Sequence, residues 1–475
     1  MRFTCALAML VLFNGIVQAE EPGAVELVIH PRAVESPTLK YRLLPEESEL
    51  KPGNAVPILL RLPWEQQPWM QQVAPTLHEW TERPINDPQW KTADQLIPDN
   101  FYREMKRAAF RREAAWEYPI GEQPAFFILL PDAQGLRIFL LHALAVKTRR
   151  HLSRGELDNA RETIMVGLAN SRHMAQTPFY VNQMVALAIQ RGMLSQTAEL
   201  IAQPDSPNLY WALATLPDSL LQLDRAASFE GTLFATTFSA ALELDRPHDK
   251  QEWQKMAEQL VELLNQLGEL PKEEKKEASL LSQFLRHVAP PGAVQGTPLA
   301  KLARAELPGL LNLPKERVAA MSAEEAAVRW YVQVRVARDQ KVSATMRLPP
   351  REAWSQLQQL NRDDDALAKK LGRTAFPFLQ PSSLYLSLRS ANRQVQLLRV
   401  IEAVRDHLAN NEGKLPQSLD EIERLPVPHD PLTGEAFVWK LDDNGVATLS
   451  TPPLPAFFKA DIVKASHVEY RLRAK

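Results

Sequence analysis

Cysteine and glycine are the residue types that this chain most clearly lacks. Its 475 residues include one cysteine, Cys5, and 17 glycines, whereas glycine makes up roughly 7 per cent of an average soluble protein. With a single thiol the chain forms no internal disulfide and no multi-cysteine metal site. The scarcity of glycine disfavours the glycine-rich loops that bind phosphate.

An excess of one charge and long apolar runs are missing too. The 55 lysines and arginines nearly balance the 57 aspartates and glutamates, which leaves a formal charge of −2. This balance argues against nucleic-acid binding, which depends on a strongly basic surface. Beyond the N-terminal segment no apolar run approaches the ~20 residues of a transmembrane helix, so we expect no membrane span in the mature chain.

Familiar catalytic and cofactor motifs are absent as well. The sequence has no G-x-G-x-x-G, P-loop, G-x-S-x-G or H-E-x-x-H pattern. Its histidines never lie three to five positions apart, as zinc ligands on a helix would. We therefore predict no cofactor, no metal ion and no catalytic residue, although the sequence alone leaves open whether the protein is an enzyme.

The N-terminal segment has the pattern of a secretory signal peptide. Arg2 precedes an apolar run over residues 3–13, and residues 17–19 resemble a small-residue cleavage site. The run is too short to span a bilayer. We expect residues 1–19, including Cys5, to be removed and the mature protein to be exported to the periplasm or the extracellular space.

The chain is rich in proline, with 37 residues, and in apolar residues that recur with helical periodicity. Together they predict a mainly α fold in which proline separates the helices. Residues 20–63 contain short apolar runs broken by proline, such as residues 56–60, and predict extended arms or edge strands. Residues 64–380 predict a multi-helix body, and residues 381–475 a long helix followed by a small α+β tail with a β-hairpin.

The predicted hairpin has a defined register. A three-residue loop over residues 443–445 pairs Trp439 with Leu449 and Leu441 with Ala447, which places the apolar side chains on one face. The glycine that ends this loop is then expected to adopt a left-handed conformation.

Residues 155–168 resemble half of a tetratricopeptide repeat. The small residues Ala160 and Gly167 would let two helices approach closely. Since no convincing second copy follows, we interpret the stretch as a single helical hairpin.

Three groups of ionisable residues each have a functional and a structural interpretation, and a fourth has a structural interpretation alone. His78 and Glu79 form either an acid/base pair or a polar helix face, and the aspartates at residues 363–365 form either a calcium site or a solvated turn between helices. A basic stripe either binds an anionic surface or is a solvated helix face: Arg103, Lys106, Arg107 and Arg111. In the long C-terminal helix we predict intrahelical ion pairs opposite the apolar stripe, among Arg399, Glu402, Arg405 and Asp406. We favour the structural interpretation in every case.

Residues 207–217 form the most unusual local sequence, a short segment bounded by prolines. Within it Tyr210 and Trp211 stand side by side. The pair either forms the floor of a binding groove or packs in the core between helices, and we favour the core. If the protein binds through a groove, these two residues are our candidate contacts.

Several of these segments together resemble a family of uncharacterised exported, mainly helical bacterial proteins. The segments that carry the resemblance are residues 39–45, 52–55, 207–217, 413–419 and 430–434. The resemblance implies a shared architecture but no catalytic residues, since the family has no assigned activity. The last of these segments is also similar to the tail of type II secretion pseudopilins, in which an Asp-Pro turn leads into a hairpin, although the chain lacks the pilin methylation segment.

Two functions remain open at this stage. The first is a non-catalytic envelope or periplasmic protein, structural or binding another envelope protein through its helical body. The second is a carbohydrate-active enzyme built as a helical toroid, which needs two carboxylates roughly 5–10 Å apart in an aromatic-lined cleft. We favour the binding protein, because aromatic residues make up only 7 per cent of the chain.

Overall fold

The computed structural model describes residues 24–117, 135–223, 225–229, 238, 243–266, 298–371, 381–454 and 467–475. The expected signal peptide therefore lies outside the described residues. The described part is mainly helical and carries a small four-stranded sheet formed largely by the C-terminal tail, which confirms the fold class. None of its helices is both long and apolar enough to cross a membrane.

The N-terminal part combines short strands with short helices. Strands β2 and β3 pair in parallel, whereas β1 joins the C-terminal sheet. The elements are, in chain order, β1 (Val25–Ile29), β2 (Lys51–Asn54), α1 (Val56–Glu65), α2 (Gln67–Gln72), α3 (Leu77–Glu82), α4 (Asp99–Ala109) and β3 (Arg111–Glu113).

The prediction of an extended arm at residues 56–60 is wrong, because these residues open helix α1. Pro57 lies in the first helical turn, where no amide hydrogen is needed, so it starts the helix instead of preventing it. Ile58, Leu59 and Leu62 are buried on one face. The helical body thus begins at Val56 and not at residue 64, while β1 is an edge strand as expected.

Three helices joined by short connections form the centre of the body. They are α5 (Leu144–Ser153), α6 (Leu157–Met174) and α7 (Tyr180–Ile201), and each packs against the other two. The expected close approach is confirmed at Gly167, where an added Cβ would overlap the side chain of Met193 on α7. A single turn of π-helix, Ile138–Ala143, leads into α5.

The second half of the body contains longer helices. The elements are α8 (Tyr210–Ala214), α9 (Lys250–Gln266), α10 (Pro298–Leu310), α11 (Lys315–Ala319), α12 (Ala323–Thr345), α13 (Pro350–Leu371) and α14 (Pro381–Asn410). Trp253 and Trp330 lie in a separate apolar cluster, where α12 packs against α9 and α10. Outside this cluster, α14 packs against α7, α8 and α13.

The C-terminal sheet has the strand order β1-β6-β5-β4, with β4 (Val438–Leu441), β5 (Val446–Ser450) and β6 (Glu469–Ala474). The predicted hairpin register is confirmed, because Trp439 pairs with Leu449 and Leu441 with Ala447. The loop glycine, Gly445, has φ +72°, as expected for the left-handed position. Strand β1 adds to β6 in parallel.

Candidate functional site

The structure places the candidate contacts Tyr210 and Trp211 on the short helix α8. Tyr210 is fully buried, and its hydroxyl donates to the carbonyl of Pro426 and accepts a 3.0 Å hydrogen bond from Arg399 Nη2. Trp211 is half-buried with its ring 5.1 Å from that of Tyr210. The favoured interpretation, packing in the core, is correct for Tyr210, because its fully buried side chain cannot contact a partner.

The ionic residues of α14 include the predicted intrahelical pair of Glu402 and Arg405, and the structure adds that this pair belongs to a buried junction. This junction consists of Glu402, Arg405 and Asp406, whose side chains are at most 1 per cent exposed. Arg405 Nη1 lies 2.8 Å from Glu402 Oε2, and burial raises the pKa of the Glu402 carboxyl, against the opposing effect of Arg405. The sequence of α14 places apolar residues on one side of the helix and charged residues on the other. It did not indicate that other segments cover the charged side as well.

The junction holds two distant segments against α14. Arg405 donates to the carbonyls of His30 (3.1 Å) and Ser206 (2.8 Å). Glu402 Oε1 accepts from the backbone amide of Leu209 at 2.9 Å. These contacts explain the conformation of the chain just before α8, so the junction is structural in role.

A second buried ion pair anchors the Asp-Pro turn. Arg393 on α14 contacts both carboxylate oxygens of Asp430, at 2.8 and 2.9 Å, and both side chains are at most 1 per cent exposed. The hydroxyl of Thr433 donates to the same carboxylate at 2.9 Å. Asp430 thus shapes its own turn and fastens it to α14.

A lysine lies in the interface between α4 and α5. The Lys147 side chain is 4 per cent exposed, with Nζ 3.3 Å from Asp99 Oδ1 and 4.7 Å from the centre of the Tyr102 ring. Burial lowers the pKa of Lys147, and Asp99 opposes that shift. The hydroxyl of Tyr102 and the ammonium of Lys106 both contact Glu162, at 2.8 and 2.7 Å. These contacts join three helices and neutralise part of the basic stripe.

The other ionisable candidates from the sequence are exposed or already paired. His78 and Glu79 are both exposed on α3. Residues 363–365 lie inside helix α13, so the predicted turn between helices is wrong, and Asp364 is bound by Arg338 of α12 at 2.7–3.0 Å. Within the described ranges no group of three or more His, Cys, Asp or Glu side chains is placed to hold a metal ion.

The described surface contains at least two cavities. The first, of about 540 Å³, lies where α5 and α7 end beside the loop after α3, and its polar walls are Asn86, Arg149, Ser153, Glu199 and Gln203. The second, of about 610 Å³, lies on the outer face of the sheet beside the hairpin loop. Neither cavity is lined by an aromatic side chain. We call the first one the helix-end cavity.

One large aromatic side chain projects from the surface. Trp64, in the last turn of α1, is 72 per cent exposed, more than any other exposed large hydrophobic residue among those described. Beside it Arg61 and Glu65 form an exposed ion pair. Nothing in the sequence distinguished Trp64 from Trp69 five positions later, which is buried.

Comparison with known proteins gave no match to a protein-family model, to a curated protein or to a solved structure. The resemblance described above therefore stays a prediction. The case for a function comes from the surface and the cavities of the chain itself.

Proposed function

We propose that this chain is an exported, non-catalytic protein that binds another protein of the cell envelope through its helical body. The observation that supports this proposal is the exposure of Trp64, at 72 per cent. An indole held in water in this way gains free energy when a partner covers it, and tryptophan is enriched among the residues that dominate binding energies.

The surroundings of Trp64 have the form of a small contact patch. The Arg61–Glu65 ion pair beside it is also exposed, and charged residues at the edge of an apolar contact are typical of the polar rim of an interface. Helix α1 itself is fixed to the core through Ile58, Leu59 and Leu62, so the indole is presented on a rigid element. Little ordering entropy is then lost on binding.

The ionisable groups of the interior support a non-catalytic role. The junction and the Arg393–Asp430 pair hold chain segments together and are closed to solvent. The helix-end cavity contains one carboxylate, Glu199, which is already bound by Arg149 at 3.1 Å. A glycosidase cleft, by contrast, needs two carboxylates of separate roles.

The proposal is tested by capture of partners from envelope extract with the full-length protein. Trp64→Ala should reduce recovery of a specific partner at least about tenfold, since such anchors contribute 2 kcal/mol or more. Leu39→Ala is the matched control, because Leu39 is also an exposed apolar residue, at 49 per cent. Both variants should melt like the wild type.

Two results would overturn the proposal. One is equal recovery of all partners by wild type and Trp64→Ala. The other is hydrolysis of envelope polysaccharides by the purified protein that disappears when a single Asp or Glu is replaced, which would establish the carbohydrate-active alternative.

A further inference from the structure

Strand β1 is an edge of the C-terminal sheet. In the order β1-β6-β5-β4 its neighbour is β6, and among the described residues no backbone hydrogen bond reaches its other side. The opposite edge, β4, carries the exposed Lys440, a residue type that discourages pairing with another strand. Strand β1 contains neither lysine nor proline, so its edge is open to a further strand.

Two residues of β1 present their backbone groups at this open edge. The carbonyl of Ile29 accepts from the amide of Lys475 at 3.1 Å, which places the backbone groups of Ile29 on the β6 side. Successive residues of a strand turn these groups to opposite sides, so the amides and carbonyls of Glu26 and Val28 point to the open edge. The edge therefore offers two donors and two acceptors to a strand that pairs with it.

The side chains of the same two residues lie on the outer face of the sheet. Val28 is 41 per cent exposed and lies beside Arg473 of β6, and the Glu26 side chain is 56 per cent exposed and lies beside Arg471. Glu26 is 3.6 Å from Arg471, whereas the exposed Arg473 forms no ion pair among the described residues. The edge thus combines an exposed apolar side chain with a cation that lacks a carboxylate.

The edge of a second copy matches this one. Two-fold symmetry requires the two β1 strands to run antiparallel. Pairing centred on Leu27 sets Glu26 of each copy opposite Val28 of the other, and all the edge-facing backbone groups are then bonded. The neighbouring registers fit less well. One sets Glu26 opposite itself, and the other sets it opposite His30, whose carbonyl already accepts from Arg405 Nε at 3.1 Å.

The register centred on Leu27 also pairs the charges. It aligns Arg473, Val28 and Glu26 of the second copy in one row on the outer face of the sheet. With adjacent strands about 4.8 Å apart, the Cα atoms of Arg473 and that Glu26 are separated by roughly 10 Å. The two long side chains can meet across Val28 and cover its methyl groups. The two-fold axis repeats the contact, so each copy supplies a carboxylate to Arg473 of the other.

We propose that this protein forms a reversible dimer in which the β1 edges of two copies pair antiparallel and join the two four-stranded sheets into one. Because β1 has five residues, the interface is small and the dimer is weak, as is typical of transient interfaces. The inference does not depend on the proposed function, since Trp64 lies on α1 and not in the sheet.

Sedimentation velocity of the purified protein at about 5 and 300 μM tests the dimer, whose fraction should rise with concentration. Val28→Glu should raise the dissociation constant at least about tenfold, because a carboxylate then lies opposite Glu26 at two symmetric positions. Adding Glu26→Lys should restore the dimer, since opposite charges then meet at both positions. Lys440→Glu, a charge change on the other edge of the sheet, is the matched control and should leave the dimer unchanged.

A second variant tests the charge contact without a change in β1. Arg473→Gln removes an exposed cation that has no ion pair among the described residues, so it should melt like the wild type. It should weaken the dimer several-fold. An unchanged dimer in Arg473→Gln would overturn the register that we infer.

Other contrary results are equally definite. A protein that stays monomeric at about 300 μM overturns the inference. So does an unchanged dimer in Val28→Glu, or a dimer that Val28→Glu weakens and Glu26→Lys does not restore. Loss of the dimer in Trp64→Ala also overturns it, because the contact then lies at α1. If partner capture depends on Trp64 in any of these cases, the proposed function stands without the dimer.

Discussion

At the scale of single residues, the interior is organised by ion pairs that are closed to water. Removing a guanidinium and a carboxylate from water costs several kcal/mol per ion, so such a pair persists only when its other hydrogen bonds are satisfied. Arg405 meets this condition, because it donates to Glu402 and to carbonyls of two segments distant in sequence. The pair therefore determines which segments pack against α14.

The first prediction concerns this pair. Arg405→Met should lower the free energy of unfolding by about 3–5 kcal/mol, because Glu402 is left as a buried carboxylate without its cation. Arg246→Met is the matched control, since Arg246 is 64 per cent exposed and pairs with the exposed Glu243 at the same i, i+3 spacing. An exposed pair of this kind contributes about 0–1 kcal/mol.

Urea unfolding of the full-length protein measures both changes, with the slope m checked for constancy. Adding Glu402→Gln to Arg405→Met should recover part of the loss, because the unpaired charge is removed. A loss from Arg405→Met no larger than that from Arg246→Met would show that the buried pair does not hold the segments together.

At the scale of elements, the hairpin of β4 and β5 depends on one backbone conformation. Gly445 has φ +72°, and its amide donates to the carbonyl of Asp442 at 3.1 Å to close the loop. A β-branched side chain is strained in this region by roughly 1–2 kcal/mol. Gly445→Val should lower the free energy of unfolding by that amount, whereas Gly445→Asn should cost less, since asparagine tolerates the left-handed region.

The measurement is chemical unfolding of full-length wild type and both variants. It needs the full chain because β1 supplies the strand beside β6. Equal stability of the valine and asparagine variants would contradict the strain that we assign to this position.

Elements defined by neighbouring residues were predictable from sequence, and elements defined by distant partners were not. The hairpin register follows from the alternation of Trp439, Leu441, Ala447 and Leu449, all within one loop of each other. The buried junction escaped prediction because the partners of Arg405 lie up to 375 positions away. Helix α1 was misassigned since proline is compatible with both an edge strand and a first helical turn.

The candidate sites divide in the same way. The sequence identified Tyr210 as an unusual residue but not its burial, which depends on α14 and on the carbonyl of Pro426. Arg149 and Glu199 lie 50 positions apart in the sequence, so their ion pair in the wall of the helix-end cavity appears only in the structure. Neither fact is encoded in a local pattern.

At the scale of the whole molecule, the first and the last strand of the described chain belong to the same sheet. Strand β1 pairs with the last strand β6, and the segment after β1 follows α14 through the bond from Arg32 N to Arg405 O at 3.0 Å. The tail of residues 381–475 is consequently not a separate unit. Contacts of such long sequence separation must form late and slow the folding of the chain.

The last prediction is a loss of stability in mild acid. His173 in α6 is fully buried, and burial together with Arg172 lowers its pKa from 6.5 to about 4. His142, which is half-buried near His78, is lowered to about 4 in the same way. The unfolded chain protonates these rings near pH 6.5 whereas the folded chain keeps them neutral. Protons therefore bind preferentially to the unfolded state as the pH falls from 6.5 towards 4, and the free energy of unfolding decreases.

Urea unfolding at pH 7.5, 6 and 5 tests this sign. His173 should account for roughly 1–3 kcal/mol of the loss, the linkage expected for a shift of this direction and burial. His173→Gln, which stays neutral, should flatten the pH dependence, and the exposed His429→Gln should not. Comparison of variants at each pH cancels the opposite contribution of Glu402, whose pKa is raised by burial. A pH dependence identical in His173→Gln and wild type would show that this histidine binds protons equally well in the folded and the unfolded chain, and the buried neutral ring that we assign to α6 would be wrong.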